Sequence, residues 1–257
     1  MRAALVQLES DVDSAANRET VASRLLAVDP AVDLVVLPEA TMHDFGSADH
    51  DLAAVAEPLD GPFVALLAEH ARRLGATVVG GMFETASGGL PFNTLVALGP
   101  DGALCATYRK VHLYDSFGYK ESDRLGAGPI AATTLEVAGT RVGLMTCYDL
   151  RFPEMARLVV DAGADTLVLP AAWVAGEHKL HHWRTLLTAR AVENTVHVLA
   201  AAQGGPRYTG HSLALDPHGQ VLAEAGDGDE TLVATVDPGT VSAVRDVNPS
   251  LANRRIR

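Results

Sequence analysis

Residues 141–154 read Arg141-Val-Gly-Leu-Met-Thr-Cys147-Tyr-Asp-Leu-Arg-Phe-Pro-Glu154, and this stretch decides the predicted fold. Its first part, from Val142 to Met145, is apolar and uncharged, which is typical of a strand covered on both faces. Pro153 suits the first turn of a helix, because the missing N–H of proline needs no intrahelical partner there. Apolar residues then recur at helical spacing, at Met155, Leu158 and Val159. The pattern predicts a buried strand, a sharp turn with Cys147 at its tip, and a helix.

The position of Cys147 has two interpretations. A thiol between a strand and a helix faces free backbone N–H groups and the positive end of a helix dipole, which favour a thiolate and can bind an oxyanion. Free cysteine is also among the most buried residue types, so Cys147 could be a small core residue. Taken alone, the stretch supports a catalytic nucleophile and a buried core residue equally well as the role of Cys147.

The composition excludes several classes of protein. The chain has 257 residues and a net charge of −12, from 20 basic and 32 acidic residues, and no stretch is rich in Lys and Arg. This argues against nucleic acid or an anionic membrane as a partner. Two cysteines, Cys105 and Cys147, provide neither a disulfide framework nor a zinc-binding spacing. Because we find no signal peptide and no apolar run of transmembrane length, we expect a cytoplasmic protein.

Strands and helices alternate along the chain. Two hairpins are predicted, across Gly99–Gly102 and across Gly139-Thr140, whereas other strands are linked through helices. Such an order implies mixed sheets with helices outside, in a single domain over 1–257. We expect Pro170 to end the strand that starts at Asp165, and the segment 110–128 to be a long, functional loop. Strands are predicted over 3–8, 33–37, 77–83, 93–98, 103–109, 134–138, 141–146, 165–169, 196–201, 211–215, 221–224 and 231–236. Helices are predicted over 17–28, 62–74 and 180–194, after Cys147 and after Pro238.

Three polar residues follow strand ends closely: Glu39, Lys110 and Cys147. Sites collect at the carboxyl ends of strands in layered α/β folds. A carboxylate, an ammonium and a thiol are what amide hydrolysis through a covalent intermediate requires: a base, positive charge for the oxyanion, and a nucleophile. Taken singly, Glu39 and Lys110 are more simply solvated surface charges.

Other candidates are weaker. His112 is most simply a hydrogen-bonding loop residue. The group His178, His181 and His182 has two members at helical i, i+4 spacing, but no third ligand is evident, and we predict no metal site. We expect Trp173 and Trp183 to pack in the interior, and Cys105 to be a core residue of a hairpin strand.

Three motifs together resemble the signature blocks of the nitrilase superfamily of carbon–nitrogen hydrolases, and in the same order. They are Leu37-Pro-Glu39-Ala, Tyr108-Arg-Lys110-Val-His-Leu-Tyr and Thr146-Cys147-Tyr-Asp-Leu-Arg-Phe-Pro-Glu154. The similarity extends over nearly the whole chain, since Leu169-Pro-Ala-Ala-Trp173 and the segment 182–194 resemble later landmarks. Three blocks in register are far more specific than one motif.

The resemblance implies a four-layer α-β-β-α sandwich, no metal or organic cofactor, and a homodimer or larger assembly, with the tail of about 238–257 a candidate for oligomer contacts. By motif, Cys147 is the nucleophile, Glu39 the general base and later acid, and Lys110 stabilises the tetrahedral intermediate with the backbone N–H of Tyr148. Glu121 is the best match to a second glutamate that positions the substrate.

The resemblance also indicates the substrate class. Residues 147–154 are most similar to the amidase branches that act on ω-amides of short dicarboxylates or on deaminated glutathione. Arg151, Ala172 and Trp173 are candidates for substrate binding, although an ion pair between Arg151 and an acid such as Glu154 is the simpler expectation. N-carbamoyl amino acids and nitriles remain alternative substrates. A catalytically silent binding or assembly protein is the alternative from another class, against which the intact Glu39, Lys110 and Cys147 argue.

Overall fold

A computed structural model describes residues 1–116 and 118–256 of the chain. Phe117, within the predicted long loop, and Arg257, at the end of the predicted tail, lie outside the described residues. The described helices are α1 (Ser14–Leu26), α2 (Leu52–Val55), α3 (Pro62–Leu74), α4 (Pro153–Asp161), α5 (Lys179–Asn194) and α6 (Pro238–Val247). None of them is long and apolar enough to cross a membrane.

The strands form two sheets of six and one short hairpin. The first sheet has the order β14-β1-β2-β3-β4-β5, the second has the order β13-β12-β11-β10-β9-β8, and β6 pairs with β7. In chain order the strands are β1 (Arg2–Gln7), β2 (Leu34–Val36), β3 (Thr77–Glu84), β4 (Phe92–Leu98), β5 (Leu104–Arg109), β6 (Asp115–Ser116), β7 (Tyr119–Lys120), β8 (Thr134–Val137), β9 (Thr140–Leu144), β10 (Thr166–Ala171), β11 (His197–Ala202), β12 (Leu213–Leu215), β13 (Val221–Glu224) and β14 (Glu230–Thr235).

The two large sheets face each other and helices cover their outer faces. Because side chains alternate along a strand, Leu5 of β1 joins a core cluster with Leu199 of β11 in the opposite sheet. Its neighbour Val6 packs in a second cluster with residues of α1 and α3, such as Leu25 and Leu67. Residues of α4 and α5 pack behind the second sheet. The four-layer α-β-β-α sandwich that the resemblance implied is therefore confirmed.

Local sequence signals placed several elements correctly. Helix α3 spans the predicted Pro62–Leu74 and ends at Gly75, whose φ of 63° is left-handed, the conformation that favours glycine at a helix end. The turn at Gly99–Gly102 closes the hairpin of β4 and β5, with Gly99 N–H donating to the carbonyl of Ala103 at 2.8 Å.

Other expectations were wrong. Strand β10 runs through Pro170 to Ala171, because its ladder with β9 ends at Val168 and proline is tolerated where a ladder bond is not required. Cys105 is exposed in β5 rather than buried. By contrast, the predicted order of strand, turn and helix around Cys147 is confirmed: the turn is a 3₁₀ segment, Cys147–Arg151, and α4 begins at Pro153.

The segment 110–128 is more ordered than the predicted loop. It contains β6, β7 and a 3₁₀ turn at Glu121–Asp123. Helix α2 was not predicted either. These elements are too short for hydrophobic periodicity to identify them.

Gly81 of β3 allows another backbone segment to approach the strand closely, as the glycines in its sequence predicted. A Cβ at Gly81 would lie 2.7 Å from both Ala40 N and Glu39 Cα, and 2.8 Å from the carbonyl oxygen of Pro38. These three atoms are backbone, so they cannot move aside as a flexible side chain would. The segment that carries Glu39 therefore packs directly on β3.

We expect Gly81→Ala to destabilise the fold by about 1–3 kcal/mol, because it overpacks a backbone contact. The melting temperature should fall by about 2–4 °C for each kcal/mol, measured by circular dichroism. Gly88→Ala is the matched control, because a Cβ at Gly88 meets nothing within 4 Å. Equal melting temperatures for the two variants would contradict the proposed contact.

Candidate active site

Glu39 lies three residues after β2, in a turn that the backbone holds tightly. Ala40 has a φ of 55°, which is uncommon for a residue with a side chain. The N–H of Gly81 donates to the carbonyl of Pro38 at 3.2 Å, and the hydroxyl of Thr41 donates to it at 2.8 Å. Glu39 is completely buried as a result.

Cys147 occupies a second strained turn, after β9. Its φ is 44°, and strained backbone of this kind is found at functional sites where the surroundings enforce it. The enforcing contacts come from a capping box in which the backbone N–H of Thr146 donates to Asp149 Oδ2 at 2.9 Å. The thiol is buried, with 7% of the residue exposed.

Lys110 follows β5 directly and reaches back between two carboxylates. Its backbone N–H donates to the carbonyl of Asn93 at 2.8 Å. Its ammonium Nζ lies 2.9 Å from Glu39 Oε1, and 2.9 and 3.2 Å from the two oxygens of Glu121. All three charged side chains are at most 2% exposed. The structure thus brings Glu39, Lys110 and Glu121 into one buried charge cluster.

The second oxygen of Glu39 is held by the opposite sheet. The backbone N–H of Ala172 donates to Glu39 Oε2 at 2.7 Å. The side-chain amide of Gln203 donates to the backbone carbonyl of Glu39 at 2.9 Å. Ala172 lines the same cavity as Cys147, but its N–H serves Glu39. Groups from both sheets therefore fix the orientation of this carboxylate.

The cluster shifts the proton affinities of its members. Burial alone would lower the pKa of Lys110, but the carboxylates of Glu121 and Glu39 raise it well above its usual value. Burial, followed by the negative charge of Glu39, raises the pKa of the Cys147 thiol well above its usual value. The charged form of Lys110 and the neutral form of the Cys147 thiol are therefore favoured. The expectation that the strand–helix junction favours a resting thiolate was wrong, because burial outweighs it.

A buried carboxylate, Asp149, joins the Cys147 turn to the end of β5. It accepts hydrogen bonds from the hydroxyl of Tyr108 at 2.5 Å and from the backbone N–H of His112 at 3.1 Å. The Nδ1 atom of His112 lies 2.7 Å from the same carboxylate, and its ring stacks on Phe152 at 3.8 Å. His112 is thus the hydrogen-bonding residue that was predicted, but the role of Asp149 was missed.

Cys147 opens on a cavity of about 240 Å³. Six aromatic residues line it, and so do three cationic side chains besides Lys110. The aromatic residues are Phe45, Tyr114, Tyr119, Tyr148, Trp173 and Tyr208, and the cations are Arg151, Lys179 and Arg207.

The three cations are held differently. The Arg151 guanidinium lies 5.0 Å from the centre of the Trp173 ring, and it makes no ion pair with Glu154 or another acid of the described residues. The expected Arg151–Glu154 ion pair was therefore wrong. Lys179 Nζ lies 3.1 Å from the hydroxyl of Tyr114. Arg207 forms an ion pair with Asp44.

Trp173 is 4% exposed, and its indole N–H donates to the carbonyl of Lys179 at 3.0 Å. It both packs in the interior, as predicted, and supports Arg151 at the cavity wall. Within residues 1–116 and 118–256, no group of three or more His, Cys, Asp or Glu side chains is arranged to hold a metal ion.

Comparisons with known proteins agree with this arrangement. The family model for carbon-nitrogen hydrolase matches residues 2–246. A deaminated glutathione amidase of Escherichia coli O157:H7 is 43% identical over 93% of this chain and 91% of its own length. An ω-amidase of Saccharomyces cerevisiae is 32% identical over 99% of this chain and 93% of its own length.

Solved structures match over the full chain. XC1258 of Xanthomonas campestris, a CN-hydrolase superfamily protein with an arsenic adduct in its active site, superposes with a TM-score of 0.91 at 32% identity, over 100% of this chain and 98% of that one. The amidase from Nesterenkonia sp. AN1 superposes with a TM-score of 0.80 at 26% identity, over 99% of this chain and 94% of that one. That structure is of a glutamate-to-glutamine mutant, with an acetamide moiety covalently added to its active-site cysteine.

Fold, motif order and full-length similarity lead to one assignment. The chain belongs to the carbon–nitrogen hydrolase family of the nitrilase superfamily, and it is a hydrolase acting on carbon–nitrogen bonds other than peptide bonds.

Proposed function

We propose that the protein hydrolyses a small, carboxylate-bearing amide through a thioester on Cys147. The observation that carries this proposal is the buried cluster in which Glu39 lies beside both the Cys147 thiol and the Lys110 ammonium. A nucleophile, a base and a fixed positive charge in one closed cavity are the groups that acyl transfer needs.

The first half of the reaction forms the thioester. Glu39 accepts the thiol proton as Sγ of Cys147 attacks the amide carbon, and the carbonyl electron pair moves to oxygen. Lys110 Nζ and the backbone N–H of Tyr148 stabilise the oxyanion. Glu39 then gives its proton to the departing nitrogen, the C–N bond breaks, and ammonia or an amine leaves.

The second half uses the same groups. Glu39 accepts a proton from water as the water oxygen adds to the thioester carbon. The C–S bond breaks, the carboxylic acid leaves, and the proton returns to the Cys147 thiol. Glu121, with both oxygens on Lys110 and one accepting the N–H of Tyr114 at 2.6 Å, keeps the ammonium in place throughout.

The cavity favours an anionic substrate. Arg151 and Lys179 line one side of it, 5.0 and 5.9 Å from the Trp173 ring, in a chain with a net charge of −12. The pKa of the nearby His182 is lowered by desolvation and by the positive charge of Arg151. An arginine with no paired acid on a cavity wall fits a substrate carboxylate, which it can bind through two N–H groups.

The similar proteins support this substrate class. An ω-amide of a dicarboxylic acid and deaminated glutathione each carry a carboxylate away from the scissile amide. N-carbamoyl amino acids share that feature and remain the second candidate class, followed by nitriles. A catalytically silent binding protein is the alternative that the intact cluster opposes.

We also propose that the single domain over 1–257 forms homodimers or larger assemblies. Val247 and Ile256 of the tail are 88% and 91% exposed, and an oligomer contact through the tail would cover them. A cytoplasmic location stays a prediction.

Replacing Cys147 by alanine should abolish turnover, because no thioester can form. The measurement is ammonia or amine release from a panel of α-ketoglutaramate, succinamate, deaminated glutathione, N-carbamoyl amino acids, aliphatic amides and nitriles. Cys105→Ala is the matched control and should keep full activity, because Cys105 is exposed in β5. Turnover that persists in Cys147→Ala would refute the mechanism, and inactivity of the wild type on the whole panel would refute the proposed substrate class.

Glu39→Gln should change two quantities, the turnover rate and the pKa of the Cys147 thiol. Turnover should fall roughly 10²–10⁴-fold with the loss of the general base. The pKa of the Cys147 thiol should also fall, since the negative charge that raises it is removed. Thiolate ultraviolet absorbance followed against pH in a Cys105→Ser background measures this shift. A thiol pKa that rises or stays constant would contradict the assigned contact.

Arg151→Gln should raise KM for carboxylated amides roughly tenfold to a hundredfold, the loss expected for a hydrogen bond to a charged group. KM for a neutral amide of the same length should stay constant. Steady-state kinetics on the two substrates provide the comparison. An equal effect on both would show that Arg151 supports the cavity wall instead.

A further inference from the structure

Asn93 lies between the two glutamates of the buried cluster. It begins the buried part of β4, is 1% exposed, and its carbonyl accepts the backbone N–H of Lys110 at 2.8 Å. Its side-chain Nδ2 lies 2.7 Å from Glu39 Oε1 and 3.1 Å from Glu121 Oε1. The amide therefore donates one N–H to each carboxylate.

The charges of the cluster explain why such a donor matters. Glu39 and Glu121 share the ammonium of Lys110, and all three side chains are buried, so two carboxylates compete for one positive charge. Two carboxylates in one site raise each other's pKa, whereas hydrogen bonds to the charged form lower it. Asn93 supplies such bonds to both without adding charge.

The other end of the Asn93 side chain argues against a purely structural role. Its Oδ1 is buried and has no hydrogen-bond partner among the described residues. An unpaired buried carbonyl disfavours the folded state, so an apolar side chain would suit the interior of the fold better. The amide is oriented by the carboxylates alone.

We propose that Asn93 is a positioning residue that keeps Glu39 ionised and directed at Cys147. This inference rests on the proposed function, because it gives Glu39 the role of general base. Without Asn93, the two carboxylates lose the neutral donor that both contact, so the ionised form of Glu39 is less well stabilised and less firmly oriented toward Cys147.

The test is the pH dependence of kcat/KM for Asn93→Ala, on the most active amide of the panel. A base must be deprotonated, so weaker stabilisation of the Glu39 carboxylate moves the acidic limb of the profile to higher pH. We expect a shift of about one pH unit and a lower plateau. Asn93→Ser keeps one donor, so the acidic limb of its profile should lie between those of Asn93→Ala and the wild type. This variant replaces Asn93→Ala in the test if Asn93→Ala does not fold.

Thr94→Val is the matched control. Thr94 is the next residue of β4, is completely buried, and its hydroxyl donates to a different carboxylate, Glu84 Oε2, at 2.8 Å. The variant loses a comparable buried hydrogen bond but should keep the wild-type acidic limb. Melting temperatures of the variants show the structural cost of each change.

The outcomes separate the two proposals. A shifted acidic limb in Asn93→Ala, together with an unshifted limb in Thr94→Val, supports the inference. If the acidic limb of Asn93→Ala and Asn93→Ser matches that of the wild type while Cys147→Ala is inactive, the role of Asn93 is overturned and the proposed function stands. If Cys147→Ala remains active, both fail together.

Discussion

The buried ion cluster of Lys110 with Glu39 and Glu121 is the constraint on which the rest of this structure depends. Moving an ammonium out of water is costly unless opposite charges and hydrogen bonds replace its hydration. The ammonium lies at the end of β5, and its replacements come from two other parts of the chain: the turn after β2 and the 3₁₀ turn at Glu121. Removing the ammonium would leave the two carboxylates to repel each other in the interior. The segment 110–128 must therefore fold back over the sandwich, and this encloses the cavity.

The site also depends on the contact between the two sheets. Glu39 and Lys110 belong to the first sheet, whereas Cys147 and Ala172 belong to the second. The hydrogen bond from Ala172 to Glu39 crosses between them, as does the one from Gln203. The packing of the two sheets thus also determines the geometry of the active site. The strained backbone at both Ala40 and Cys147 is consistent with this dependence. A sheet that shifted by a fraction of an ångström would lose the alignment of base and thiol.

How far the sequence could predict this site depends on how far apart in the chain the informative residues lie. Glu39, Lys110 and Cys147 could be found because each closely follows the end of a predicted strand, a pattern that lies within ten residues. Asn93 could not, although it faces Lys110 across a hairpin with a clear turn. The pairing slips at a bulge between Ala97 and Leu98, and one extra residue in a ladder changes which side chains meet. The proton state of Cys147 was also out of reach, because burial by distant segments decides it.

The raised pKa of the Cys147 thiol has a consequence for the choice of reaction. A permanent thiolate would be a ready nucleophile, but Glu39 would then hold no proton for the leaving group. In the proposed mechanism the thiolate forms as Glu39 takes the proton, so each attack leaves on Glu39 the proton that the departing nitrogen requires. Amine departure from a tetrahedral intermediate depends on that proton far more than departure of a thiol or an acidic alcohol does. The burial that raises the thiol pKa thereby couples formation of the thiolate to protonation of the departing nitrogen, which is the difficult step for an amide.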